Sequence, residues 1–191
     1  LSYVWASADT AYTEKEGNDP TGFTCWGLWS DKGQPKVILL TAWRKRLELH
    51  GPVTWGDSNG NVQLMVRGQS EKYSDWVVRT QSKWGLCEWL HYSCKRFNAD
   101  KLLIEAKASG HSVSQELHRL HGSEPWSIEL TTPEGDKRAR LISVQATFSA
   151  GLVYTPYRDW SEVVIDEVCS YPKHKYDDLT DSTSQALKHI R

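Results

Sequence analysis

The sequence predicts an α/β domain built on one mixed sheet, and three observations carry that expectation. Three strand-sized apolar segments open the chain, joined by short polar connections. Beyond about residue 76, stretches with helical spacing alternate with short apolar runs. No Pro/Gly/Ser-rich linker divides the 191 residues, which suffice for one domain with a substantial core. Neighbouring strands on short loops pair antiparallel and strands separated by helices return in parallel. The first three strands are therefore expected to be antiparallel and the later ones parallel, with helices flanking the sheet.

Leu1 to Ala8 alternates and ends in small residues before Asp9, as a strand delivering an acid at its end would. Residues 23–29, FTCWGLW, and 37–43, VILLTAW, read as the second and third strands, and TEKEGNDPTG before them is a connection rich in turn formers. Gly51 to Gly68 reads as a loop or hairpin. Trp76, Thr80, Trp84, Cys87, Leu90 or His91, Cys94 and Phe97 recur at threes and fours, predicting one long amphipathic helix that runs through Gly85. KLLIEAK supplies a short buried strand with Glu105 near its carboxyl end. A helix over 112–120, the strand WSIEL, a helix over 137–150, the strand GLVYT and a helix over 159–169 follow. On the last helix Leu179, Thr183, Ala186, Leu187 and Ile190 recur at helical spacing. In open sheets ligands gather at the carboxyl ends of strands, where Asp9 and Glu105 both fall.

The net charge is -1 with 25% charged residues, so a nucleic-acid surface has to come from segregated charge. Basic clusters stand at Arg44-Lys45-Arg46, Lys95-Arg96 and Lys137-Arg138 with Arg140; each is a DNA-contact candidate only if the fold gathers it at one site, and otherwise a solvated face. The four cysteines form no C-x-x-C pair, which argues against a structural zinc and a disulfide scaffold. No apolar stretch approaches membrane-spanning length, so no membrane partner is expected. A chain that opens at Leu1 directly on a strand, with no secretory leader, is expected to be a domain of a longer polypeptide.

Asp177, Asp178 and Asp181 crowd the start of the last helix. An acidic first turn complements the helix dipole or caps the helix, which is one account of the run. The other starts from geometry. Residues three and four apart share a side of a helix, and Leu179 and Thr183 lie close to that side, so the acids point at a rim of the core. Like charges at such a rim call for a raised pKa, a basic partner or a bound cation. A hard Mg2+ or Mn2+ is held by oxygen, and Asp9, Glu105 and Asp178 or a neighbour could supply the carboxylates. Two such ions about 3.5–4 Å apart activate a water and stabilise the leaving oxygen in phosphodiester cleavage.

The segments SADTAYTEKEGNDPTGFTCWG, LLIEAKASGHSVSQEL, AGLVYTP and YDDLTDSTSQAL stand in an order and spacing that resembles the C-terminal nuclease domain of tailed-bacteriophage terminase large subunits. Those subunits are DNA-packaging motors, and the resemblance covers nearly the whole chain. It implies an RNase H-like fold with Asp9, Glu105 and Asp178 as the catalytic acids. Asp178 with Asp181 fits the family's D-x-x-D pattern, and Asp177 completes a paired acid, so Asp9, Glu105, Asp178, Asp181 and Asp177 are the implied metal ligands.

Where the family often has His before the acid pair, Tyr176 stands here, with His174 two residues further back. Lys107 matches the usual lysine after the second acid, as a phosphate contact, a tuner of the attacking water or an ordinary surface lysine. Asp19 resembles the family's turn acid, and a turn-forming role suits it. With Lys107, the residues Arg44, Lys45, Arg46, Lys137, Arg138 and Arg140 are the candidate DNA-binding groups.

The expectation is a single nuclease domain over 1–191. No G-x-x-x-x-G-K-[ST] occurs, so the N-terminal ATPase lies outside it and ATP hydrolysis is not expected. The implied activity is a Mg2+- or Mn2+-dependent endonuclease with two ions, cutting double-stranded concatemeric viral DNA with little sequence preference. Its implied partners are DNA, the ATPase domain, the small terminase subunit and the portal, in the host cell cytoplasm. Two other readings stay open: a resolvase or integrase-type nuclease on branched DNA, and a non-catalytic DNA-holding module. Plasmid nicking separates enzyme from module, and branched against linear duplex separates the two nucleases.

Overall fold

The computed structural model describes residues 1–12, 20–51 and 67–190. Asp19, most of the first connection and the 52–66 stretch of the expected loop or hairpin lie outside the described residues. Three strands open the fold: β1 (Tyr3–Asp9), β2 (Thr21–Asp31) and β3 (Gln34–Lys45). Helices α1 (Tyr73–Thr80) and α2 (Leu86–Arg96) precede β4 (Lys101–Glu105). Then come α3 (Ala108–His121), β5 (Ser127–Thr131), α4 (Lys137–Ser149), β6 (Val153–Tyr154), α5 (Asp159–Ser170) and α6 (Asp178–His189).

The strand order is β5-β4-β1-β2-β3-β6. β1, β2 and β3 pair antiparallel, whereas β4 joins β1, β5 joins β4 and β6 joins β3 in parallel. This is the mixed sheet expected from the connections. The expected strand over GLVYT shortens to the two residues of β6, which pair with Val37 and Ile38.

Strand parity divides the core. Val4, Ala6 and Ala8 of β1 and Leu102 and Ile104 of β4 pack with Leu86, Leu90, Val113 and Leu117 from α2 and α3. Trp5 and Leu103, one residue out of phase, pack on the other face with Val144, Val164, Leu179 and Leu187 from α4, α5 and α6. The result is a sheet between two helical layers.

The long helix predicted through Gly85 is broken. α1 ends at Thr80, residues 81–83 form a 3-10 turn, and Gly85 caps α2 in extended conformation. A Cβ on Gly85 would sit on the backbone of His50 and Gly51, so the chain turns where a distant segment presses on it. The Glu88 carboxylate receives the Gly85 N–H at 2.8 Å and restarts the helix. Among the described residues no helix is long and apolar enough to cross a membrane.

Candidate active site

Alternation along the strands decides where the two strand-end acids point. Ser7 and Asp9 share the face of Trp5, and Glu105 shares the face of Leu103, so both acids look toward the layer that holds α6. Parallel pairing of Ala8 with Ile104 puts Asp9 beside Glu105 at the strand ends.

α6 lies across those ends. Its small hydroxyl residues let it approach: Ser182 Oγ donates to the Ser7 carbonyl at 2.8 Å and meets Thr24 Oγ1 at 2.8 Å. Trp5 Nε1 donates to the Ala186 carbonyl at 3.0 Å. Gly22 of β2, paired with Asp9, has no side chain to hold the helix off; a Cβ there would collide with the Asp178 carbonyl.

Three carboxylates meet beneath the helix. Asp9, Glu105 and Asp181 are 9%, 3% and 5% exposed. Lys107 Nζ stands 3.1 Å from Asp9 Oδ1 and 2.8 Å from Glu105 Oε2. Arg140 of α4 lies 3.4 Å from Glu105 Oε1 and 2.7 Å from Asp181 Oδ1. Lys137 pairs with Asp177 at 2.6 Å and with Asp181 Oδ2 at 2.8 Å. Burial, with Glu105 and Asp181 adding to it against the pull of Lys107, pushes the Asp9 carboxyl up to about 7.

Asp178 is placed differently. Its carboxylate faces Arg44 Nε at 3.5 Å. Arg44 in turn pairs with Glu167 of α5, a fully buried carboxylate that also accepts the Thr180 N–H at 2.8 Å. Sequence reading missed Glu167, although its position three residues after the buried Val164 puts it on the inward side of α5.

The other candidates scatter around this centre. Lys45 lies over the Trp89 ring at 4.1 Å, and Arg46 lies 5.9 Å from the Tyr176 ring. Arg138 instead lines an apolar cavity of about 880 Å³ between α4 and α5. His174 turns Nε2 toward Asp166 at 3.7 Å, away from the carboxylates.

Among the described residues no three His, Cys, Asp or Glu side chains stand ready at metal-ligand spacing. The donor chemistry still fits a hard divalent cation. The convergent groups are all carboxylates, without thiol or imidazole, and a cavity of about 210 Å³ lined by Glu105, Arg140 and Asp181 opens beside them.

The profile of the family described as terminase RNaseH-like domain matches residues 63–189. The chain belongs to that family. It is a terminase RNaseH-like domain, and solved structures agree on the architecture. The human cytomegalovirus terminase nuclease domain, Mn soaked and inhibitor bound, is similar with 11% identity and a TM-score of 0.57, over 99% of this chain and 82% of that chain. The nuclease domain of the large terminase subunit of bacterial virus Sf6 is similar with 9% identity and a TM-score of 0.55, over 97% and 88%. No curated protein matches the terminase domain described here.

Proposed function

We propose that this terminase domain is a Mg2+- or Mn2+-dependent endonuclease that cuts double-stranded concatemeric viral DNA during genome packaging, with little sequence preference and two ions. The observation that carries the reading is the meeting of Asp9, Glu105 and Asp181, delivered by three elements far apart in sequence and spanned by Lys107 and Arg140. Three buried carboxylates at one spot are costly unless something cationic belongs among them. The cytomegalovirus domain was soaked with Mn, and a structure of the Sf6 domain holds manganese with beta-thujaplicinol, which supports the same use of metal here.

In this reading Asp9, Glu105 and Asp181 hold the ions, with Asp177 at the rim and Asp178 bound to Arg44. Ions at such a site supply a water of lowered pKa and offset charge on the leaving oxygen. Arg140 holds α6 to the end of β4. Lys107, with its side chain 46% exposed, stands where a scissile phosphate would approach the carboxylates. In the complete protein the domain works in the host cell cytoplasm with the ATPase domain, small subunit and portal.

Supercoiled plasmid tests the proposal. Nicking and linearisation with Mn2+ or Mg2+, abolished by EDTA and by Asp9→Asn, is the expected result. A parent domain that leaves plasmid intact at every metal concentration contradicts it, and preference for branched over linear duplex would move the reading to a resolvase type.

A further inference from the structure

A cavity of about 880 Å³ opens between α4 and α5. Trp26 and Leu39 of the sheet line it from below, with apolar side chains such as Leu141 of α4 and Val168 of α5 on its walls. A concave, mostly apolar space of this size with a few polar groups has the character of a small-molecule site.

Two polar groups define what such a molecule would carry. Among the described residues that line the cavity, Arg138 is the one charged group, and it is exposed. Thr183 of α6, which also lines it, is only 1% exposed, and its hydroxyl has no hydrogen-bond partner among the described residues. A buried hydroxyl left unpaired costs free energy, so its place on the cavity wall calls for a polar partner there. Arg138 follows Lys137, which pairs with Asp177 and Asp181, so the charged end of the cavity is the end nearest the carboxylates.

We propose that this cavity binds an amphipathic carboxylate. Its acid group pairs with Arg138, its hydrocarbon body fills the apolar interior, and a hydroxyl or carbonyl oxygen on that body meets Thr183. The guanidinium fork matches a carboxylate through two parallel hydrogen bonds. One cation balances one negative charge, which favours a carboxylate over a phosphate carrying nearly two. An occupant touches α4, α5 and α6 together, the helices that carry Arg140, Glu167 and Asp181.

Cys169 supplies a reporter, because it is exposed and lines the cavity whereas Cys25, Cys87 and Cys94 are buried. The test is calorimetric titration of the metal-free domain with decanoate below its micelle concentration, beside the rate at which N-ethylmaleimide labels Cys169, read by mass spectrometry. Neither measurement depends on nuclease activity. Decanoate is expected to bind and to slow the labelling. Arg138→Gln is expected to weaken decanoate at least about tenfold, the scale of a hydrogen bond to a charged group, and to leave decan-1-ol at the parent's affinity. In a series with a hydroxyl moved along the decanoate chain, one member is expected to bind about three- to tenfold tighter than decanoate, an advantage that Thr183→Val removes. Decanoate that gives no binding heat and leaves the labelling rate unchanged overturns the site. Arg138→Gln with the parent's affinity overturns the carboxylate's place in it, and a series with no member better than decanoate overturns the part given to Thr183.

Discussion

Arg140 Nη2 lies 2.7 Å from Asp181 Oδ1, tying α4 to the acidic turn of α6. The same guanidinium reaches Glu105, so one cation joins the last helix to the end of β4. Both partners are largely buried. Arg140→Met is expected to destabilise the domain without metal by about 3 kcal/mol, the cost of leaving buried charge unpaired. It should also enlarge the rise in melting temperature given by Mn2+, because an added cation then relieves more repulsion. Thermal melts with and without Mn2+ check both effects.

Asp9 sets a pH dependence of opposite sign to the usual carboxylate. Its folded pKa of about 7 exceeds the ordinary value of 3.8, so the native state binds the extra proton. Stability without metal is then highest below about pH 4 as far as this group is concerned, falls as pH rises toward 7, and is lowest above it. At 1.36 kcal/mol per unit the fall cannot exceed about 4 kcal/mol. Asp9→Asn is expected to flatten the curve between those limits, and chemical denaturation at a series of pH values measures it.

Glu167 is the buried anchor of Arg44. Glu167→Gln keeps an acceptor for the Thr180 N–H but leaves the guanidinium with Asp178 as its one remaining carboxylate among the described ion pairs. A loss of about 3–5 kcal/mol is expected, visible as a lower denaturation midpoint with unchanged slope.

Gly22 is where the sheet admits α6. Gly22→Ala is expected to cost about 1–3 kcal/mol by overpacking against the Asp178 carbonyl and to lower cleavage more than stability alone would, because the helix carrying Asp181 is displaced. Plasmid cleavage at a temperature where the variant remains folded isolates the second effect.

Much of this was legible in the chain. Period-two alternation placed Asp9 and Glu105 at strand ends, and helical spacing marked α6 as packed against something. Which acid of α6 faces the strand-end pair was not legible, because Asp178 and Asp181 differ by only about 60° around a helix. The choice is made by long-range partners: Arg44 and Glu167 hold Asp178, and Arg140 holds Asp181. The break at Gly85 was hidden for the same reason. Apolar spacing continues through it, and the segment that forces the turn comes from His50 and Gly51.

In the proposed site Asp181 joins Asp9 and Glu105 as a metal carboxylate while Asp178 serves Arg44. Plasmid cleavage by two single variants with Mn2+ tests it most directly. Asp181→Asn is expected to lose at least about 100-fold in rate, the scale on which a displaced reacting group is felt. Asp178→Asn is expected to cut within about tenfold of the parent, with a lower melting temperature from its weakened tie to Arg44. The reverse result, with Asp178→Asn inactive and Asp181→Asn still cutting at the parent's rate, would contradict the account.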